Sequence, residues 1–309
     1  MKVIFMGTPD FAVPCLEMLI NEKYNVIGVF TQPDKPKGRG NKVLYTPVKE
    51  IALKNNLEVF QPIKLRDSEY VELIRKMKPD VIVVVAYGQI LPKEILDIPP
   101  YGCINVHASL LPKYRGAAPI NWAIIDGEKV TGVTTMYMDV GLDTGDMILK
   151  GEIEIGEDET AEELHNRLSI LGAKTLKETL EEFKKGNINR TKQNHDESTH
   201  TQKISKDLGQ IDWTNPAEEI RNLVRGLIPW PTAYTSYKGN MMKIFKARVE
   251  KGHTNNPGEI IDVNNKGIFI ATGKDILIVE ELQFSGGKRL AVKDYLRGNS
   301  IDKNIVLGE

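Results

Sequence analysis

Short apolar runs alternate with amphipathic stretches over the first part of the chain. Lys2 to Met6 is an apolar strand run that stops at Gly7-Thr8-Pro9-Asp10. Phe11, Cys15, Met18 and Leu19 then recur at helical spacing, with Asp10 placed to cap the helix. Asn25 to Thr31 predicts a second strand, Val59-Phe60 a short extended piece and Ser68 to Met77 a helix. Thr46-Pro47 opens a helix to about Asn55, with proline in the first turn. Asp80 to Ala86 is continuous, β-branched and bounded by Lys-Pro and Tyr-Gly, which predicts a central strand. Gly102 to His107 predicts the next strand, Pro119 to Ile125 a helix, Thr131 to Met138 an alternating strand and Thr160 to Lys185 a long charged helix. Strands alternating with helices predict an α/β domain, Rossmann-like, around a mostly parallel sheet. Ligands of such sheets gather beyond the carboxyl ends of the strands, where Gly7, Gln32, Tyr87 and His107 all fall.

The pattern changes after Gly186. Residues 187–205 are polar, almost without apolar side chains, and read as a linker. Beyond Asp212-Trp213 a helix over Pro216 to Arg225 precedes five short β-like pieces: Ala233–Tyr237, Met242–Arg248, Gly258–Val263, Gly267–Thr272 and Asp275–Phe284. Short strands separated by turn residues predict a small β-barrel of the oligonucleotide-binding (OB-like) kind. The expected division is therefore 1–186, 187–205 and 206–309. A length of 309 residues suits two cores better than one.

Bulk charge narrows the partners. Lys plus Arg total 41 and Asp plus Glu 42, so the formal charge of −1 supplies no global field for a polyanion. From Lys206 to the end there are 15 Lys and Arg against 13 Asp and Glu. Any nucleic acid must be met by a local patch. Cys15 and Cys103 both sit in apolar stretches, which predicts buried thiols and a reducing compartment. A strand starts one residue after Met1 with no charged leader, and a cytoplasmic location is expected.

Three segments could carry chemistry. Strand alternation places Asn105 and His107 on one face at a strand end, where an amide and an imidazole together could hold an oxyanion. A satisfied polar pair under a loop fits these two residues equally well. Asp139, Asp143 and Asp146 lie around Gly141 and Gly145; turns explain Asp139 and Asp146, while Asp143 is better set to orient a histidine. Lys35, Lys37, Arg39 and Lys42 lie among glycines and prolines in an exposed loop, either merely solvated or a basic arm for phosphate. Other chemistries lack their signatures. Gly7 is the single glycine where a dinucleotide fingerprint needs three, no P-loop occurs, and Ser109 has no nucleophile elbow. No C-x-x-C or H-E-x-x-H appears, so no metal is expected.

Several blocks combine into a resemblance. GTPDFAVPCL from Gly7, TQPDKPKGRG from Thr31, VVVAYGQILP from Val83, GCINVHASLLPKYRGAAPI from Gly102 and MDVGLDTGDM from Met138 all contribute. With the stretch from Ile211 to Tyr234, they make the chain resemble, from end to end, the methionyl-tRNA formyltransferase branch of the folate-dependent formyltransferase family. The resemblance implies a formyl donor, 10-formyltetrahydrofolate, and an acceptor, the α-amino group of initiator methionyl-tRNA. It implies that Asn105, His107 and Asp143 are catalytic, and that Ser109, Leu110, Leu111 and Pro112 line the folate site. Lys35, Lys37, Arg39 and Lys42 would meet tRNA, with Arg39 on an inserting loop and the carboxyl-terminal barrel holding the tRNA from the other side. A metal-independent monomer is expected. A small-amine formyltransferase, a tRNA-binding protein with a decayed enzyme domain and a nicotinamide-dependent reductase are the competing readings. The second domain, the intact Asn105, His107 and Asp143, and the missing glycines respectively argue against them.

Overall fold

A computed structural model describes residues 1–37, 42–188, 190–252 and 256–308. In chain order the elements begin β1 (Lys2–Gly7), α1 (Val13–Asn21), β2 (Asn25–Phe30), β3 (Lys35–Lys37), β4 (Lys42–Leu44), α2 (Pro47–Lys54) and β5 (Val59–Phe60). Next come α3 (Ser68–Met77), β6 (Val81–Val85), α4 (Lys93–Leu96), β7 (Cys103–His107), β8 (Arg115–Gly116), α5 (Pro119–Ile125), β9 (Val130–Tyr137) and β10 (Met147–Glu154). The long helix α6 (Ala161–Lys184) leads to the two-residue strand β11 (His200–Thr201) and to α7 (Ala217–Gly226). The chain ends with β12 (Ala233–Tyr237), β13 (Asn240–Glu250), β14 (Ile260–Asn264), β15 (Gly267–Ala271), β16 (Ile276–Phe284), β17 (Leu290–Ala291) and α8 (Val292–Tyr295).

Two compact units result. The first comprises Met1–Gly116, Val130–Glu154 and His165–His200; the second comprises Ala117–Lys129, Ile155–Leu164 and Thr201–Glu309.

In the first unit the sheet order is β10-β9-β7-β6-β1-β2-β5. β1, β2, β5, β6 and β7 run parallel, while β9 and β10 add antiparallel strands at one side. All five residues of β6 are buried, which is why that run carries no polar alternation. The chain steps outward from β1 to β2 and β5, then returns to β6 and β7. This reversal opens a crevice at the carboxyl ends of β1 and β6, the place where such sheets receive ligands. Three of these strand ends are tied together: Thr8 Oγ1 donates to Tyr87 O at 2.9 Å, and Gln32 Nε2 donates to the same carbonyl at 3.2 Å. Helix α2 starts where its cap residue dictates, with Thr46 Oγ1 accepting from Lys49 N at 3.2 Å. Strand β10 is an edge of alternating Ile, Lys and Glu, a pattern too polar for the sequence to announce it.

The second unit is built on an antiparallel sheet of order β12-β13-β16-β15-β14, with β17 on β16. Its core joins Trp213, Ile220 and Val224 to Ile244, Ile268, Leu277, Val279 and Leu282. The expected barrel is met as an antiparallel sheet; among the described residues no ladder joins β12 to β14. No helix of the described chain is long and apolar enough to cross a membrane.

Candidate active site

The carboxyl end of β7 carries Asn105 and His107 on one face, as their spacing predicts. Asp143 reaches them from the loop between β9 and β10. His107 Nδ1 lies 3.6 Å from Asp143 Oδ1, and Asn105 Nδ2 lies 3.5 Å from the same oxygen. His107 and Asp143 are nearly buried, with side chains 7% and 12% exposed, so water screens their pairing weakly. The other carboxylate oxygen accepts from the Gly116 N–H at 2.8 Å. Asp143 itself has φ +54°, in the left-handed region that aspartate enters more readily than most residues other than glycine. Two residues on, Gly145 leaves no room for any side chain, because a Cβ there would lie 1.8 Å from Tyr137 O.

A backbone group sets the tautomer of the histidine. His107 Nε2 lies 2.9 Å from Tyr114 O, and a carbonyl only accepts, so Nε2 carries a hydrogen. Only Nδ1 is left facing Asp143. The 3.6 Å separation brings the ring and the carboxylate into ion-pair range without a direct hydrogen bond. Of the two ring nitrogens, Nδ1 is the one turned toward the carboxylate.

The loop after β7 supports this arrangement more than it lines it. Ser109 is buried and its hydroxyl donates to Lys113 O at 2.7 Å. Leu111 is fully buried against Met136 and Met147, and its N–H donates to Thr134 Oγ1 at 3.1 Å. Thr134 passes its own proton to Ser109 O at 2.7 Å. Leu110 and Pro112 are half-buried. Within the loop of Asp143, Asp139 makes a turn, accepting from Gly141 N at 3.0 Å and from Thr144 Oγ1 at 2.7 Å. Val140 and Leu142 on that loop stand 79% and 66% exposed.

Other candidates are placed elsewhere. Cys103, in β7, is buried; burial, with Asp97 adding to it, pushes its thiol well above the usual range. Burial likewise pushes the Cys15 thiol up to about 12, so both are core side chains rather than nucleophiles. Among the described residues no group of three or more His, Cys, Asp and Glu side chains could hold a metal. Lys35 and Lys37 fall in β3 and Lys42 in β4, the two strands of a hairpin; Arg39 lies outside the described residues. Sequence reasoning missed the Tyr114 carbonyl and the Gly116 N–H, because backbone partners leave no trace in residue type. It also missed Gln193, a buried glutamine inside a polar stretch.

Residues 1–180 match the family described as "Formyl transferase", and residues 203–300 match "Formyl transferase, C-terminal domain". The methionyl-tRNA formyltransferase of Alkaliphilus oremlandii (strain OhILAs) is 61% identical over 310 residues, covering 100% of both chains. That of Alkaliphilus metalliredigens (strain QYMF) is 62% identical, over 100% of this chain and 99% of its own. The Clostridioides difficile (strain 630) enzyme of the same name is 57% identical over 100% of each chain. Among solved structures, an N-formyltransferase from Helicobacter canadensis in complex with folinic acid and dTDP-3-aminofucose superposes with a TM-score of 0.69 at 20% identity, covering 90% of this chain and 99% of that one. HypX from Aquifex aeolicus in complex with tetrahydrofolic acid superposes at 0.61 with 17% identity, covering 99% of this chain and 50% of its own. At such identities these two structures share the fold.

Proposed function

The chain belongs to the formyl transferase family, and from that premise we propose that it formylates the α-amino group of methionine on initiator methionyl-tRNA, for translation initiation. The observation that carries this reading is the 57–62% identity, over essentially whole chains, to proteins named for that reaction. The donor is 10-formyltetrahydrofolate, a choice supported by the folate derivatives bound to two structural neighbours. In this reading residues 1–186 carry the chemistry, 187–205 connect, and 206–309 hold the tRNA through an OB-like fold. The protein acts as a cytoplasmic monomer.

The chemistry suits the groups at the end of β7. The lone pair of the neutral amine attacks the formyl carbon, and charge moves onto the formyl oxygen. Asn105 Nδ2, held only weakly by Asp143 at 3.5 Å, is free to donate to that oxygen. One such donor supplies about 2.7–4 kcal/mol to a developing oxyanion. The new N–C bond forms, the bond from carbon to folate N10 breaks, and the electron pair returns to N10. The amine must lose a proton and N10 must gain one. A proton carried by the His107–Asp143 pair provides both transfers, one given and one taken back. No metal enters these steps. Ser109 and Leu111 act from beneath, fixing the loop, while Leu110, Pro112, Val140 and Leu142 offer apolar surface to the ring system of the folate. Lys35, Lys37, Arg39 and Lys42 meet tRNA phosphates.

The test is formyl transfer by the purified protein from 10-formyltetrahydrofolate to initiator and elongator methionyl-tRNA. Strong formylation of the initiator alone is expected; transfer to neither would move the acceptor to a small amine. Asn105→Ala and His107→Ala should each lower kcat about 100–1000-fold and leave tRNA affinity nearly unchanged. Lost affinity with intact turnover would remove both from the reacting centre.

A further inference from the structure

We infer that Gln193 is a positioning residue for this reaction, locking the loop of Asp143 to the loop that carries its partners; the inference rests on the formyl-transfer reading above. Gln193 sits in a stretch whose composition suggests a solvated linker, yet it is 6% exposed. Its Nε2 donates to two carbonyls of the catalytic loop, Asp143 O and Gly145 O, both at 2.8 Å. Its Oε1 accepts from Arg115 Nε at 3.0 Å and from Arg115 Nη2 at 2.7 Å. The amide orientation is fixed by chemistry: a guanidinium only donates and a carbonyl only accepts, so a flipped amide would lose all four contacts.

Arg115 lies between the two backbone groups that define the site. Before it is Tyr114, whose carbonyl takes His107 Nε2–H; after it is Gly116, whose N–H holds Asp143 Oδ2. One side chain thus joins residues 114–116 to residues 143–145. The segment bearing Gln193 is itself anchored. Thr191 and Met147 exchange N–H···O bonds of 2.8 and 2.9 Å, and Tyr114 N and Arg115 N both donate to Thr199 at 2.8 Å. Asp143 cannot hold its left-handed backbone at no cost, and ties from outside the loop keep it there. Without them the carboxylate drifts from Nδ1, and drifts of an ångström at a reacting centre cost up to about a hundredfold in rate.

Two variants and two readouts decide this. Gln193→Met removes all four contacts at similar size. Gln193→Glu keeps an acceptor for Arg115 but cannot donate to the two carbonyls, so it tests the loop tie in a chain that retains the Arg115 pairing. Both should lower kcat about 10–100-fold, with KM for folate and for tRNA within about threefold of wild type. Both should also raise hydrogen exchange of the Gly116 amide, whose acceptor is Asp143, by about tenfold or more. Unchanged kcat, or a raised KM with intact kcat, overturns the inference. So does unchanged exchange at Gly116. If Gln193→Met does not fold, Gln193→Glu alone decides between these outcomes. A wild-type protein without formyl transfer would sink the functional reading alone, and the exchange experiment would still decide the role of Gln193.

Discussion

Asp143 answers to three neighbours at once: the Gly116 N–H, the His107 ring and the Asn105 amide. The first fixes its position and the second requires its charge, and these demands can be separated. Asp143→Asn keeps an oxygen for Gly116 and nearly the same volume. It removes the negative charge, and its amide can no longer exchange a proton with Nδ1. Single-turnover formyl transfer should slow about 100-fold or more, within the usual range for losing a general acid–base group. The melting temperature should stay within a few degrees, since a neutral side chain is easier to bury than a charged one. A variant that transfers formyl at the wild-type rate would reduce Asp143 to a structural turn residue. The sequence carried these side chains but not their arrangement. Strand periodicity put Asn105 and His107 on one face but fitted a satisfied polar pair equally well, and Asp143 stood as one of three carboxylates near two glycines; only the family resemblance grouped them, whereas the Tyr114 carbonyl that selects the histidine tautomer belongs to the backbone and has no residue type to read.

Where elements meet, one knot of polar groups fixes the base of the basic hairpin. Asp34 follows β2 and precedes β3, Lys49 lies on α2 and Gln61 follows β5. Gln61 Nε2 donates to Asp34 Oδ1 and to Gln32 O, both at 2.9 Å, while Lys49 Nζ bonds Asp34 and reaches Gln61 Oε1 at 2.7 Å. Burial pushes the Asp34 carboxyl up, but the hydrogen bonds from Lys49 and Gln61 outweigh it and hold the group below its ordinary value. A carboxylate lowered on folding contributes stability above its unfolded value, near about 3.9, and loses it as pH falls through the folded value. Asp34→Asn should therefore melt below wild type by a constant interval between about pH 5 and 7, an interval that closes as pH drops below about 4. An interval independent of pH would mean that the knot works by shape rather than charge. Element identity was largely written in the chain: the α3 and α5 spans match the expected residues, α5 opening on Pro119 in its first turn. Strand β10 was not, since an edge strand needs little apolar surface. Nor was the anchoring of residues 191–199, whose polar side chains satisfy partners instead of water.

At the scale of the whole molecule, linear order and compactness part company. Composition changes at Gly186, yet residues 117–129 and 155–164 belong to the second compact unit. Within that unit α5 packs on α7, where Asn121 Nδ2 donates to Gly226 O at 2.7 Å and Gly226 itself lies against Ile125. Such a contact joins residues about a hundred positions apart, and neither periodicity nor composition records it. Charge, by contrast, is legible at this scale. With 41 basic and 42 acidic residues the protein has no long-range pull on tRNA, so attraction must be local. Lys35, Lys37, Arg39 and Lys42 form the one dense basic segment singled out along the chain. If each releases a counterion on meeting phosphate, they contribute a slope of about −3 to the logarithm of tRNA affinity against the logarithm of salt concentration. Replacing all four with glutamine should flatten the measured slope by about that amount between about 50 and 200 mM salt. The KM for tRNA should rise while kcat at saturating tRNA holds, as expected of residues that attract the tRNA and take no part in the transfer. A slope unchanged by the four substitutions would place the phosphate contacts on the second unit instead, and with them the attraction that brings the tRNA in.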